Sequence, residues 1–147
     1  MKNFVVFTVL IFYLAGVISQ GIPEAILNES CIKCICHASS SCENSAFCNG
    51  DVCGPFRITR AYWIDGGQPT LNNEHPNSPL AYEHCASDFK CATLAVQGYM
   101  RKFYQDCNGD NVIDCNDYVL IHEFGGYGCK GRTLYGLYRE RFTQCNV

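Results

Sequence analysis

Cysteine is the residue with the most chemistry to offer in this sequence, and its twelve copies are unevenly placed. Six fall within the 23 residues from Cys31 to Cys53, as Cys31-x2-Cys34-x-Cys36-x5-Cys42-x5-Cys48-x4-Cys53. Thiols this close either crosslink or hold a metal. Cys31-x-x-Cys34 has the spacing of half a zinc site, but no matching pair follows it, and structural zinc takes four ligands. An even cysteine count instead favours six disulfides formed in an oxidising compartment. A second group offers oxygen. Asp106, Asn108, Asp110, Asp114 and Asp117 occupy positions 1, 3, 5, 9 and 12 of one loop, with the Val112 carbonyl at position 7. That period suits calcium, a hard cation that takes oxygen ligands.

The elements that must hold these groups follow a leader. Lys2 opens the chain and Phe4 to Val17 is an apolar run. It is shorter than the roughly 20 residues that span a bilayer, and it has the build of a secretion signal. Val17 and Ser19 are small enough to direct cleavage after Ser19, so residues 1–19 are expected to be removed and 20–147 to form one domain. Loss of Lys2 takes the formal charge from −3 to −4. A mildly acidic domain gains nothing electrostatically from nucleic acid or from anionic membranes. Secretion also makes the sequon Asn28-Glu29-Ser30 a glycosylation candidate at Asn28.

Cys31, Cys34, Ile35 and Ala38 repeat at helical spacing, with Asn28 or Ser30 to cap the start and Ser39-Ser40-Ser41 to end it. Turn residues follow through Gly54-Pro55. Phe56, Ile58 and the pair Tyr62-Trp63 then predict a short extended segment. Residues 66–79 are rich in Gly, Pro and Asn and predict a long irregular loop. Beyond it the chain reads as helical. Ser78 and Pro79 open one helix, and a second is predicted over 88–104. A third runs from about Asn116 to Gly125-Gly126, and a last one covers about 133–144, with Leu134, Leu137, Tyr138 and Arg141 on one side. The fold class expected is a small disulfide-stapled α+β domain, mostly helical, with a short turn-rich β lobe. Helices predicted on either side of Asp106–Asp117 give that loop the setting of an EF-hand, in its dockerin form. Asn111 stands at the usual glycine position, and Asp117 at the usual glutamate.

The cysteine spacing, followed by Gly54-Pro55-Phe56-Arg57-Ile58-Thr59-Arg60-Ala61-Tyr62-Trp63-Ile64-Asp65-Gly66, resembles the invertebrate-type lysozyme or destabilase family. The likeness continues through Cys85-x5-Cys91, Val96-Gln97-Gly98-Tyr99-Met100, and Ile121-His122 with Gly125-Gly126-Tyr127-Gly128-Cys129. It implies a lysozyme-like fold with a cleft between lobes. It also implies hydrolysis of the β-1,4 link between the aminosugars of bacterial peptidoglycan, for antibacterial defence or digestion and with no required cofactor. Many members have two further cysteines, at the places of Gly66 and Ala95 here. Short spacing favours Cys36–Cys42, Cys48–Cys53 and Cys85–Cys91 as local bridges; Cys31, Cys34, Cys107, Cys115, Cys129 and Cys145 are left unassigned.

Retaining hydrolysis needs a carboxylic acid to protonate the leaving oxygen and a second carboxylate about 5 Å away. The resemblance places the acid at the sixth residue of Cys34-Ile35-Cys36-His37-Ala38-Ser39-Ser40-Ser41-Cys42, and that residue is Ser39. A serine hydroxyl cannot protonate a glycosidic oxygen near neutral pH. Asp51, three residues after Cys48, matches the partner carboxylate, although its loop is shorter than in active members. His37 and Glu43 are the nearest alternative proton donors. A described isopeptidase activity of some members finds Val52 and Thr59 at its Ser and Lys positions, with His122 alone remaining. Tyr62, Trp63 and Asp65 are the expected sugar-binding residues; the other reading of the two aromatics is core. Two functions therefore stand: a secreted peptidoglycan hydrolase with lytic activity weak or absent, or a non-catalytic binder of aminosugar polymers, calcium-stabilised if the Asp106 loop is filled.

Overall fold

The computed structural model describes residues 25–43 and 48–147, so the expected signal at 1–19 lies outside the described residues. The chain folds from two ends toward a central helix. α1 (Glu29–Ser40) begins where the Asn28 side chain accepts the Cys31 N–H at 2.8 Å, and its buried face carries Cys31, Ile32, Ile35 and Ala38. It stops at Ser41, which takes a left-handed φ of 59°. Asn28 is exposed, as a glycosylation acceptor must be.

The β lobe is small. β1 (Val52–Cys53) and β2 (Ile58–Thr59) pair antiparallel, Val52 opposite Thr59 and Cys53 opposite Ile58. The turn between them passes so close to the next lobe that a Cβ on Gly54 would lie 1.6 Å from the Ala86 carbonyl oxygen. No side chain fits there. The extended segment ends at Thr59, one residue past the Phe56–Ile58 signal. Its side chain accepts the Tyr62 N–H at 3.2 Å and starts α2 (Arg60–Asp65), so Tyr62 and Trp63 are helical, not extended. Alternation over four residues could not separate the two, and the N-cap decided it.

Residues 66–80 form the long loop expected, fixed at Pro69 by the Trp63 indole N–H (2.8 Å). α3 (Ala81–Ser87) starts at Leu80 without a side-chain cap, two residues later than Ser78 suggests. α4 (Phe89–Lys102) is capped by Asp88 and is the central element, with Ala92, Ala95, Val96 and Met100 fully buried. α2 lies on it with backbone touching backbone. A Cβ on Gly66 would sit 2.3 Å from the Ala95 carbonyl oxygen, and one on Gly98 2.0 Å from that of Gly66. The two positions where many relatives carry an extra cysteine are thus in direct contact here.

α5 (Cys115–Phe124) starts from Asp114, which forms a reciprocal capping box with Asp117, and it ends at Gly125. α6 (Gly136–Thr143) is shorter than the predicted 133–144, because Gly136 holds a left-handed φ of 57° and the chain becomes helical only from there. Leu137 is exposed and does not share the packed side with Leu134 and Tyr138. All twelve cysteines are paired. Cys36–Cys42, Cys48–Cys53 and Cys85–Cys91 are local; Cys31–Cys115 ties α1 to α5, Cys34–Cys145 ties α1 to the segment after α6, and Cys107–Cys129 joins the loops before and after α5. One hydrophobic core runs through both lobes, from Phe56 and Trp63 to Ile35, Met100 and Ile121.

Candidate active site

A cleft of about 440 Å³ opens where the C-terminal end of α1, the β2–α2 junction and the end of α5 meet. Ser39 lies in it, on the last turn of α1. Its hydroxyl donates to the Ile35 carbonyl at 2.8 Å, the back-bond a helical serine makes with the residue four before it. Ser40, beside it, donates to the Pro55 carbonyl and ties α1 to the β turn. Beside Ser39 stands Tyr138 of α6, whose hydroxyl is buried next to that of Ser39. Burial pushes its phenol far above the ordinary range, the Glu123 charge adds to this, and the nearby Ser39 hydroxyl offsets a little of it. Tyr138 can only be a neutral donor.

The α2–α4 wall is aromatic. The Tyr62 and Tyr99 rings stack 3.7 Å apart, with 12° between their planes. Tyr62 donates its hydroxyl proton to His122 Nδ1 (2.9 Å), and His122 Nε2–H donates to the Phe56 carbonyl at 2.8 Å. That pattern fixes the tautomer. Burial lowers the His122 pKa to about 4, against a smaller opposing effect of its bond to Phe56, so the ring is neutral at physiological pH. It braces the cleft floor and has no free nitrogen for catalysis. Asp65 reaches the same cleft and is bound by the Lys102 ammonium at 2.6 Å.

The expected site residues separate. Ser39, Tyr62 and Asp65 share the cleft. Trp63 does not: it is fully buried, packs 5.9 Å from Tyr82 and anchors Pro69. Its assignment as a sugar platform is corrected to core. Asp51 is exposed and lines an adjoining hollow with Arg60, Tyr82 and Glu83, meeting the main cleft at Thr59 and Ala61, which border both. Its backbone carbonyl, with that of Ile58, accepts from Tyr82 Oη. His37 faces Gln144 at 3.3 Å and, like Glu43, does not line the cleft. Sequence reading missed Glu123, Tyr99 and Tyr138 as cleft residues. Glu123 left one trace, a lone carboxylate in the last turn of α5 beside His122.

In the Asp106 loop, Asp106, Asp110 and Asp117 each bring one oxygen within 4.8 Å of the others. Asp114 instead accepts the Asn116 N–H and caps α5. Asp117 is fully buried, and its carboxylate accepts the backbone N–H groups of Cys107 (2.7 Å), Asn108 (3.2 Å) and Asp114 (3.0 Å). Asp106 accepts from Gly109 and Asn111; these bonds, led by Gly109, hold its carboxyl below the usual range. Asn108 Oδ1 takes the Asp110 N–H and the Val112 N–H goes to Asp110, so internal bonds already shape the loop that a cation would organise.

The fold and this cleft define a lysozyme-like α+β domain. The destabilase family profile matches residues 28–145, and the chain belongs to that family, the invertebrate-type lysozymes. It is 31% identical over 132 residues to "Lysozyme 1" of Crassostrea virginica, covering 87% of this chain and 66% of that one. It is 31% identical over 137 residues to "Invertebrate-type lysozyme 3" of Caenorhabditis elegans, covering 90% of this chain and 97% of that one. The structure of Aeromonas hydrophila PliI in complex with Meretrix lusoria lysozyme matches with a TM-score of 0.62 at 32% identity, over 80% of this chain and 89% of that chain. Among the described residues no helix is long and apolar enough to cross a membrane.

Proposed function

We propose that this is a secreted protein that binds the aminosugar polymer of bacterial peptidoglycan in the Ser39–Tyr99 cleft, in host defence or digestion, with weak lytic activity. One observation carries the reading. The hydroxyl at Ser39 stands where an acid is expected and gives its proton to the Ile35 carbonyl, so it has none for a leaving group. General acid catalysis contributes about 10²–10⁴-fold, and that much is missing from this position. Asp65 still offers a carboxylate to a sugar, and the buried Tyr62–Tyr99 pair lines the cleft wall beside it. Six disulfides suit an extracellular setting. Asp51 is the proposed carboxylate partner of an acid placed at Ser39.

The test is a cell-wall assay with pure protein. Pelleting with insoluble peptidoglycan is expected, with slow clearing of a Gram-positive wall suspension. Ser39→Glu should clear it about 10²-fold faster, and adding Asp51→Asn should remove that gain. Rapid clearing by the natural sequence would overturn the reading of Ser39. Failure to pellet would overturn the substrate.

A further inference from the structure

We infer that the cleft carries a replacement acid on its opposite wall: Glu123 protonates the leaving oxygen and Asp65 receives the proton of the attacking water. The inference rests on the cleft being a glycan site, as proposed above.

Glu123 enters the cleft from the last turn of α5, the wall that faces Ser39 and Tyr138. Among the described residues it makes no hydrogen bond and no ion pair. Most surface carboxylates need no such explanation, but this one lines the cleft that lacks its expected acid. The other charged or titratable groups lining the cleft are Arg57, Asp65, His122, Tyr62, Tyr99 and Tyr138. His122 is neutral and both its nitrogens are taken, so it does not hold Glu123 ionised. Desolvation alone raises the Glu123 pKa, and no cation offsets it. Tyr138 Oη, buried beside the Ser39 hydroxyl, feels the Glu123 charge.

Asp65 has the opposite surroundings. Lys102 stands 2.6 Å from its carboxylate, supplying the cation that Glu123 lacks. The cleft thus holds two carboxyl groups in different surroundings, Glu123 partly shielded by the wall it lines and Asp65 beside an ammonium. In the step itself, Glu123 gives its proton to the glycosidic oxygen as the C1–O bond breaks, and the electron pair stays on that oxygen. Water bonds through oxygen to C1, and its proton passes to Asp65. One water is consumed, and solvent returns the proton from Asp65 to Glu123.

The experiment uses the full secreted chain and a β-1,4-linked N-acetylglucosamine hexamer. Calorimetry measures binding, and release of reducing ends measures cleavage. The natural protein is expected to bind the hexamer and cut it slowly, the rate falling at alkaline pH with a midpoint above the ordinary glutamate range. Glu123→Gln should keep the binding and the melting temperature, lose about 10²-fold in rate and lose that alkaline limb. Glu123→Asp should recover part of the rate, and Asp65→Asn should lower it. Cleavage unchanged in Glu123→Gln would overturn the inference, as would binding by the natural protein with no cleavage at all. No binding of the hexamer would overturn the glycan reading as well.

Discussion

At Ser39 and His122 the character of the cleft is set atom by atom. Ser39 hands its proton to its own helix, and His122 gives one proton to Phe56 while accepting another from Tyr62. Both groups look reactive in the sequence and are structural in place. The cost of keeping His122 neutral predicts a pH dependence. Its folded pKa is near 4 and its ordinary value is 6.5, so between those limits the unfolded chain binds more protons than the folded one. Stability from this group is therefore complete above about pH 6.5 and is lost as pH falls toward 4. Thermal melts across that window should show the decline, and His122→Gln should flatten it. An imidazole titrating near 6.5 by NMR in the folded protein would contradict the assignment. Ser39 was legible through the family resemblance, because two flanking cysteines, Cys36 and Cys42, fix its register against the family's acid position. Glu123 was not. It joins Ser39 only because α1 and α5 are stapled together at Cys31–Cys115, a pairing that spacing left open.

Among the elements, the helices were legible to within a few residues where a cap was present, as at Asn28 and Asp88. Starts without a side-chain cap, at Leu80 and Tyr135, were misplaced. α2 was missed altogether, since six residues bury Tyr62 and Trp63 side by side and show no helical period. What fixes α2 is its contact with α4. Gly66, Ala95 and Gly98 let the two backbones meet, at the spot where many relatives carry two more cysteines. A methyl group has nowhere to go there. Gly98→Ala should push its Cβ to within 2.0 Å of the Gly66 carbonyl oxygen and destabilise the fold by about 1–3 kcal/mol, the usual cost of overpacking. Urea denaturation measures it. A midpoint equal to that of the natural protein would mean that α2 floats on α4, and would also remove the reason for Asp65 to sit where it does.

For the molecule as a whole, covalent links do much of the work that a larger core would otherwise do. Cys31–Cys115, Cys34–Cys145 and Cys107–Cys129 join segments 84, 111 and 22 residues apart. Two of these bridges grip the Asp106–Asp117 loop from either end. The loop has a calcium-binding pattern in its sequence, yet its most buried carboxylate, Asp117, joins three backbone N–H groups. Removing that charge leaves those donors poorly paired inside the fold, at a cost typical of charged hydrogen bonds, about 1.5–3 kcal/mol. Asp117→Asn should therefore lower stability by about 2 kcal/mol. With the loop already closed by disulfides and its own amides, the natural protein should melt at the same temperature in millimolar calcium as in chelator. A rise in melting temperature with calcium that Asp117→Asn abolishes would show the reverse, that Asp117 turns from its amides to the cation and that the metal completes the fold.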